Sequence, residues 1–244
     1  MRAVIVAFFV VFFLPVAHCQ DAAVPISSEP HHHLVLQNDL VRVWTLQLGP
    51  HEKTLPYTVP HDCISAIVQN GQSPDLNVIT ATGFAPAGKP EQYARGPFTD
   101  VWKNGTNESI KIVAVELLRQ QGGVFNECEE VPGGEKSGCH ANVELGHTVL
   151  TWNKNISGLM ALFRTQETQV VALCLFGGKH ASVETGSHDG LLVFNANTDV
   201  TFENVSSKKL SFAEGDVLWV PAGSFLTVKN RSKLLICSTQ LGFR

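Results

Sequence analysis

From Leu40 onward the apolar positions of this chain recur every second residue or in short unbroken runs, and few segments show the spacing of a helix. Leu40–Leu48 largely alternates apolar and polar residues, which predicts a half-buried strand ended by Gly49-Pro50. Cys63–Val68 predicts a second strand, closed by the hairpin-type turn Asn70-Gly71. Leu76–Ala81 follows, and Ala85–Gly96, broken repeatedly by Gly and Pro, predicts a loop. Ile110–Leu118 is apolar except for Lys111 and Glu116, the pattern of a strand buried over much of both faces. Further strands are predicted at Thr148–Asn153, Gly158–Arg164, Val170–Phe176, Leu191–Phe194, Val200–Phe202, Leu210–Phe212, Val217–Val220 and Leu234–Ser238. Many short strands separated by turn residues predict an all-β sandwich or barrel.

The strands fall into two similar halves. Gln121–Asn142, Gly-rich and acidic, reads as the linker between them. Each half runs strand, Gly turn, a short segment ending in His-Asp (His61-Asp62 and His188-Asp189), strand, and a later turn before a terminal apolar strand. That order predicts a duplicated all-β unit, with an N-terminal domain over 31–120, a linker over 121–145 and a C-terminal domain over 146–244. Gln20–Pro30 is polar and predicts an exposed arm, and His31-His32-His33 a solvated stretch. The first nineteen residues read as a cleaved secretory signal: Arg2, an apolar run from Ala3 to Leu14, Pro15, then small residues before Gln20. The expected mature chain is secreted, or periplasmic in a bacterium, and no membrane holds it after cleavage.

Composition narrows the function classes. The chain is 44% apolar and 16% charged, too apolar for general disorder. A net charge of −4 without any Lys/Arg run argues against a nucleic-acid partner, because phosphate neutralisation needs a basic face. Cleavage of the signal leaves Cys63, Cys128, Cys139, Cys174 and Cys237. Cys128 and Cys139 flank a flexible polar segment and are expected to bridge locally; the other three sit in strand-like runs and read as small buried hydrophobes. Asn104, Asn107, Asn155, Asn204 and Asn230 each begin an N-x-S/T sequon, a glycan acceptor in a eukaryotic secretory pathway.

One stretch carries a family resemblance. Gly215-Asp216-Val217-Leu218-Trp219-Val220-Pro221-Ala222-Gly223-Ser224-Phe225-Leu226-Thr227-Val228-Lys229-Asn230 resembles the second cupin signature, G-x5-P-x-G-x2-H-x3-N, with Leu226 in place of the His. Asn38–Val43 followed by Leu48–Thr54 resembles the lead-in to the first cupin signature, with His51 where Gly is usual. Gly96–Asn104 with Ile112–Leu117 resembles a degraded second signature registered on Asn104. The resemblance implies a bicupin: two tandem jelly-roll barrels, each usually holding a metal on three His and one Glu.

The ligand positions depart from that pattern. The first-half positions fall on Tyr57, Val59 and Asp100, and the second-half positions on Glu184, Gly186 and Leu226. Val, Gly and Leu side chains have no lone pair to give a divalent ion. No cofactor is therefore expected. Some cupin-like epimerases use a His base and a Tyr acid without metal, and Tyr57, His61 and Asp100 are the residues that could form such a group. Against this, adjacent strand residues face opposite ways, so His61 and Asp62 cannot both enter the barrel; the plainer expectation is that each His-Asp pair caps a strand beside a turn. Trp44, Trp102, Trp152 and Trp219 lie in strand-like runs and read as core. The expectation is a secreted binding or structural module for a small molecule or carbohydrate. The alternative is an oxygenase, isomerase or epimerase with a non-standard site in the first barrel. Edge strands of two jelly rolls leave a homo-oligomer open.

Overall fold

The computed structural model describes residues 22–68, 78–80, 83–85, 91–123, 125–126, 147–149, 158–203, 209–233 and 236–244. The signal segment, Cys128, Cys139, Trp152, Asn155 and Asn204 lie outside them. The described chain folds into two jelly-roll barrels built almost wholly of antiparallel strands.

The first barrel sets a six-stranded sheet against a three-stranded one. The larger sheet runs His147–Val149, Glu91–Ala94, Asp62–Val68, Ile110–Leu117, Val41–Leu48, His32–Gln37. The smaller runs Val24–Pro25, Tyr57–Val59, Phe98–Asp100. In the second barrel a six-stranded sheet (Phe125–Asn126, Gly158–Arg164, Thr168–Leu175, Ile236–Phe243, Gly190–Val193, Val217–Val220) faces a four-stranded one (His180–Glu184, Phe225–Asn230, Thr198–Phe202, Lys209–Phe212).

The alternation seen in the sequence decides which face each residue serves. Along Ile110–Leu117, Ile110, Ile112 and Ala114 enter the first barrel with Trp44, Leu46, Leu48, Tyr57 and Trp102. Val113, Val115 and Leu117 face the other way, into a core shared by both barrels that includes Val170, Leu191, Val193, Leu241 and Phe243. This strand is thus buried on both faces, which is why its sequence is nearly continuous in apolar residues. A third cluster around Leu173, Phe194, Val200 and Leu226 fills the second barrel.

Several local expectations are corrected. Gln20–Pro30 is not a free arm from Val24 on: Val24 and Pro25 pair in parallel with Tyr57 and Thr58, and Ile26 is buried among the barrel residues. His31-His32-His33 is not simply solvated. Glu29, buried, takes His31 Nδ1 at 2.9 Å and His32 Nδ1 at 2.7 Å, and the His32 ring sits 4.5 Å from that of Tyr57. Burial raises the Glu29 pKa, but the bonds from His31, His32 and the Leu55 and His31 amides outweigh it and leave the carboxyl below its ordinary value. Within Ala85–Gly96, Glu91–Ala94 is a strand rather than loop, anchored by the buried Tyr93. Phe125–Asn126 of the expected linker adds to the second barrel's sheet and His147–Val149 to the first's, so the chain crosses between the two sheets.

Two of the five sequons serve the fold. Asn104 is fully buried, and its amide donates to the carbonyls of Leu48, Gly49 and Glu108 at 2.6–3.3 Å. Asn230 is equally buried and donates to Leu175 O at 2.8 Å. Neither site has room for a glycan in the folded chain, which corrects the sequon reading at both. Asn107 is exposed, with its side-chain oxygen 3.1 Å from His51 Nε2.

Candidate functional site

The Glu116 carboxylate is fully buried on the inner face of the first barrel. Glu116 follows Ile112 and Ala114 on the strand that is apolar on both sides, and it stands directly opposite Arg42 and Cys63 on the flanking strands. Arg42 Nη1 donates to Glu116 Oε2 at 3.5 Å and Trp44 Nε1 donates to the same oxygen at 3.4 Å. The other oxygen lies 2.6 Å from His61 Nδ1. The Glu116 side chain is 0% exposed, against 34% for Arg42 and 39% for His61. A carboxylate taken out of water is tolerated only when it is paired and hydrogen-bonded, and these three donors supply both conditions.

This cluster opens on a groove of about 970 Å³ at the barrel mouth. Trp44, Phe98, Ile26 and Leu34 give it apolar surface, while Ser27, Gln37, Thr58 and Thr99 add hydroxyl and amide groups. Beneath it, and sharing Ile26, Val59 and Phe98 with it, lies a cavity of about 20 Å³ lined by Tyr57, Cys63, Ser65 and Asp100. That space holds roughly one water. Tyr57 and Asp100 are cross-strand partners there. Burial, followed by the neighbouring Asp100 charge, pushes the Tyr57 hydroxyl well above its ordinary pKa. Burial likewise raises the Cys63 thiol to about 12. Both groups stay protonated at neutral pH.

The structure therefore divides the group named from sequence. Tyr57 and Asp100 share the inner cavity, whereas His61 pairs with Glu116 at the mouth. His61 and Asp62 do face opposite ways. Asp62 accepts from the Tyr93 hydroxyl and, at 2.8 Å, from Gly96 N. In the second half Asp189 accepts from Ala222 N at 2.9 Å in the same manner, and His188 is exposed. The residues missed from sequence are Glu116, Arg42 and Trp44 acting together. The signal was a lone carboxylate in a run buried on both faces, which strand alternation assigns to the barrel interior.

The metal positions of the resemblance do not fit a divalent ion. Val59 and Leu226 are buried hydrocarbon side chains, Glu184 is exposed, and Gly186 is a turn glycine at φ +60°. Among the described residues, no group of three His, Cys, Asp or Glu side chains is arranged to hold a metal ion.

No family model and no curated protein matches the chain. Solved structures do. AerE from Microcystis aeruginosa aligns at 12% identity over 90% of this chain and 96% of its own, with a TM-score of 0.59. YhaK from Escherichia coli aligns at 14% over 86% and 90%, with a TM-score of 0.53. A salicylate 1,2-dioxygenase from Pseudaminobacter salicylatoxidans aligns at 12% over 90% and 78%, with a TM-score of 0.51. At these identities the likeness is one of fold.

Proposed function

Given that this chain has the cupin fold, two jelly rolls in tandem, we propose that it binds a monosaccharide or a polar molecule of that size at the mouth of its first barrel. The observation that carries the reading is the Glu116 carboxylate, fully buried at a groove and held by Arg42, Trp44 and His61. The fold does not need it, because the second barrel closes in the same register with Gly242 opposite Gln169 and Gly190. A buried charge network that the scaffold can do without is best explained by a ligand. The groove volume suits a small molecule, its hydroxyl and amide lining suits sugar hydroxyls, and the half-buried Phe98 offers aromatic surface.

The reading assigns no role to a divalent metal in either barrel, since the donors at the family positions are missing. Isothermal titration of the mature chain with a panel of neutral monosaccharides tests it. Glu116→Gln is expected to weaken binding at least tenfold, and Gln169→Ala to leave it unchanged. No binding by the wild type, or equal binding by Glu116→Gln, overturns it.

The contact of 2.6 Å between His61 and Glu116 favours a second reading, metal-free proton transfer. With Nδ1 engaged by the carboxylate, Nε2 is the nitrogen that exchanges a proton with a bound sugar, at a carbon next to a carbonyl. Such a site is an isomerase or epimerase, and the test is solvent deuterium entering a ketose or aldose, lost in His61→Gln. The dioxygenase among the structural relatives lends its fold here, not its chemistry.

A further inference from the structure

The second barrel pairs two cysteines through its backbone. Thr168–Leu175 runs antiparallel to Ile236–Phe243 in unbroken register, and Cys174 is the residue directly across from Cys237. Directly opposed residues in such a pair have Cα atoms about 4.5 or 5.5 Å apart, depending on whether they exchange hydrogen bonds. Both separations lie within the roughly 4.4–6.8 Å that a disulfide spans. The equivalent register in the first barrel sets Gln47 across from Lys111, so the paired cysteines are not a requirement of the shared scaffold. Cys63 differs: its cross-strand neighbours are Glu116 and Ala94, and it is buried without a disulfide.

We infer that Cys174 and Cys237 form a cross-strand disulfide that ties the C-terminal strand into the second barrel. The two thiols lose two protons and two electrons as the S–S bond forms. A small-molecule disulfide such as oxidised glutathione accepts the electrons and is released as two thiols, through a mixed disulfide on one cysteine. The tie falls on a strand that is central to its sheet and supplies Leu241 and Phe243 to the core between the barrels. It fixes the strand at the end away from those two residues.

The test uses the full mature chain, folded in a glutathione redox buffer, alkylated, and digested without reduction. Mass spectrometry is expected to find the Cys174 and Cys237 peptides joined, two hydrogens lighter than their sum, and separated by dithiothreitol. Cys174→Ser, Cys237→Ser and the double variant are expected to lower the melting temperature by the same amount, because each removes the same bond. Alkylation or glutathione on both cysteines of the wild type overturns the inference. So does a link from either to Cys63, Cys128 or Cys139, or a double variant whose loss is the sum of the singles.

Discussion

In the first barrel the strand Ile110–Leu117 carries Glu116 opposite Arg42 and Cys63; in the second, Ile236–Phe243 carries Gly242 opposite Gln169 and Gly190. Away from this point the two barrels repeat each other closely. Asn104 and Asn230 each reach back to the end of an inner strand, at Leu48 and Leu175. Asp62 and Asp189 each cap a loop amide, Gly96 and Ala222. The backbone has positive φ at His51, +60°, and at Gly178, +72°. What repeats is what the jelly roll needs to close, and the Glu116 cluster, which does not repeat, is where the proposed ligand site lies. The comparison separates scaffold from site inside a single molecule.

The largest expected effect concerns the scaffold. Asn104→Ala takes one donor from each of three carbonyls, two of which keep a second one from Glu52 N and Thr106 Oγ1, and Asn230→Ala removes the matching cap from the second barrel, so each should cost about 2–3 kcal/mol in urea denaturation. A negligible loss in one of them means that the barrels are not held alike.

Next is the site itself. Arg42→Ala strips the guanidinium from a buried carboxylate and should cost about 2 kcal/mol, whereas Gln169→Ala, at the same register opposite Gly242, leaves no buried charge behind and should cost less. Equal costs would erase the distinction drawn here.

A smaller effect tests the turn. A residue with a Cβ is strained at positive φ, so His51→Gly should gain about 1 kcal/mol and Gly178→Ala should lose about as much, read as opposite shifts in melting temperature.

The smallest effect is the pH dependence that Glu29 and His32 give the first barrel. Burial lowers the His32 pKa below its ordinary value despite the Glu29 bond, and the bonds to Glu29 lower that of the carboxyl. In both cases the unfolded chain binds protons more readily than the folded one, so stability rises with pH. It should fall as pH drops through 6.5, the ordinary value for His32, and again below 4.5, that for Glu29. Glu29→Gln should flatten the part below 4.5 of a denaturation series carried from pH 7 down to about pH 2; an unchanged profile there would remove Glu29 from the account.

Much of this was legible in the sequence because barrels write themselves in period two. The alternation over Val41–Leu48, the doubly buried run Ile110–Leu117 and the repeated His-Asp gave the fold class and the duplication. The Gly-Pro-Gly-Asn spacing of the second half pointed to jelly rolls. Short elements were harder: Tyr57–Val59 and Phe98–Asp100 are three residues long, beside prolines, and too brief to show a period. Val24–Ile26 was hidden because two apolar residues either side of a proline are too few to show a period or to announce that a barrel end will receive them.

The candidate site was half legible. His61 stood out by its repeat, but the carboxylate that holds it lies on a strand far along the chain. Alternation says which face Glu116 takes; only the register says that Arg42 and Cys63 stand beside it. The sequons at Asn104 and Asn230 misled because a three-residue pattern carries no information on whether its Asn is already a buried cap.

The central proposal, that the Glu116 groove is where a ligand binds, is met most directly by hydrogen–deuterium exchange of the protein with and without saturating monosaccharide. The account predicts slower exchange at Tyr57–Val59, Phe98–Asp100 and the Arg42 end of Val41–Leu48, with Thr168–Leu175 unchanged. Protection confined to the second barrel, or none in the first with every sugar of the panel, contradicts it.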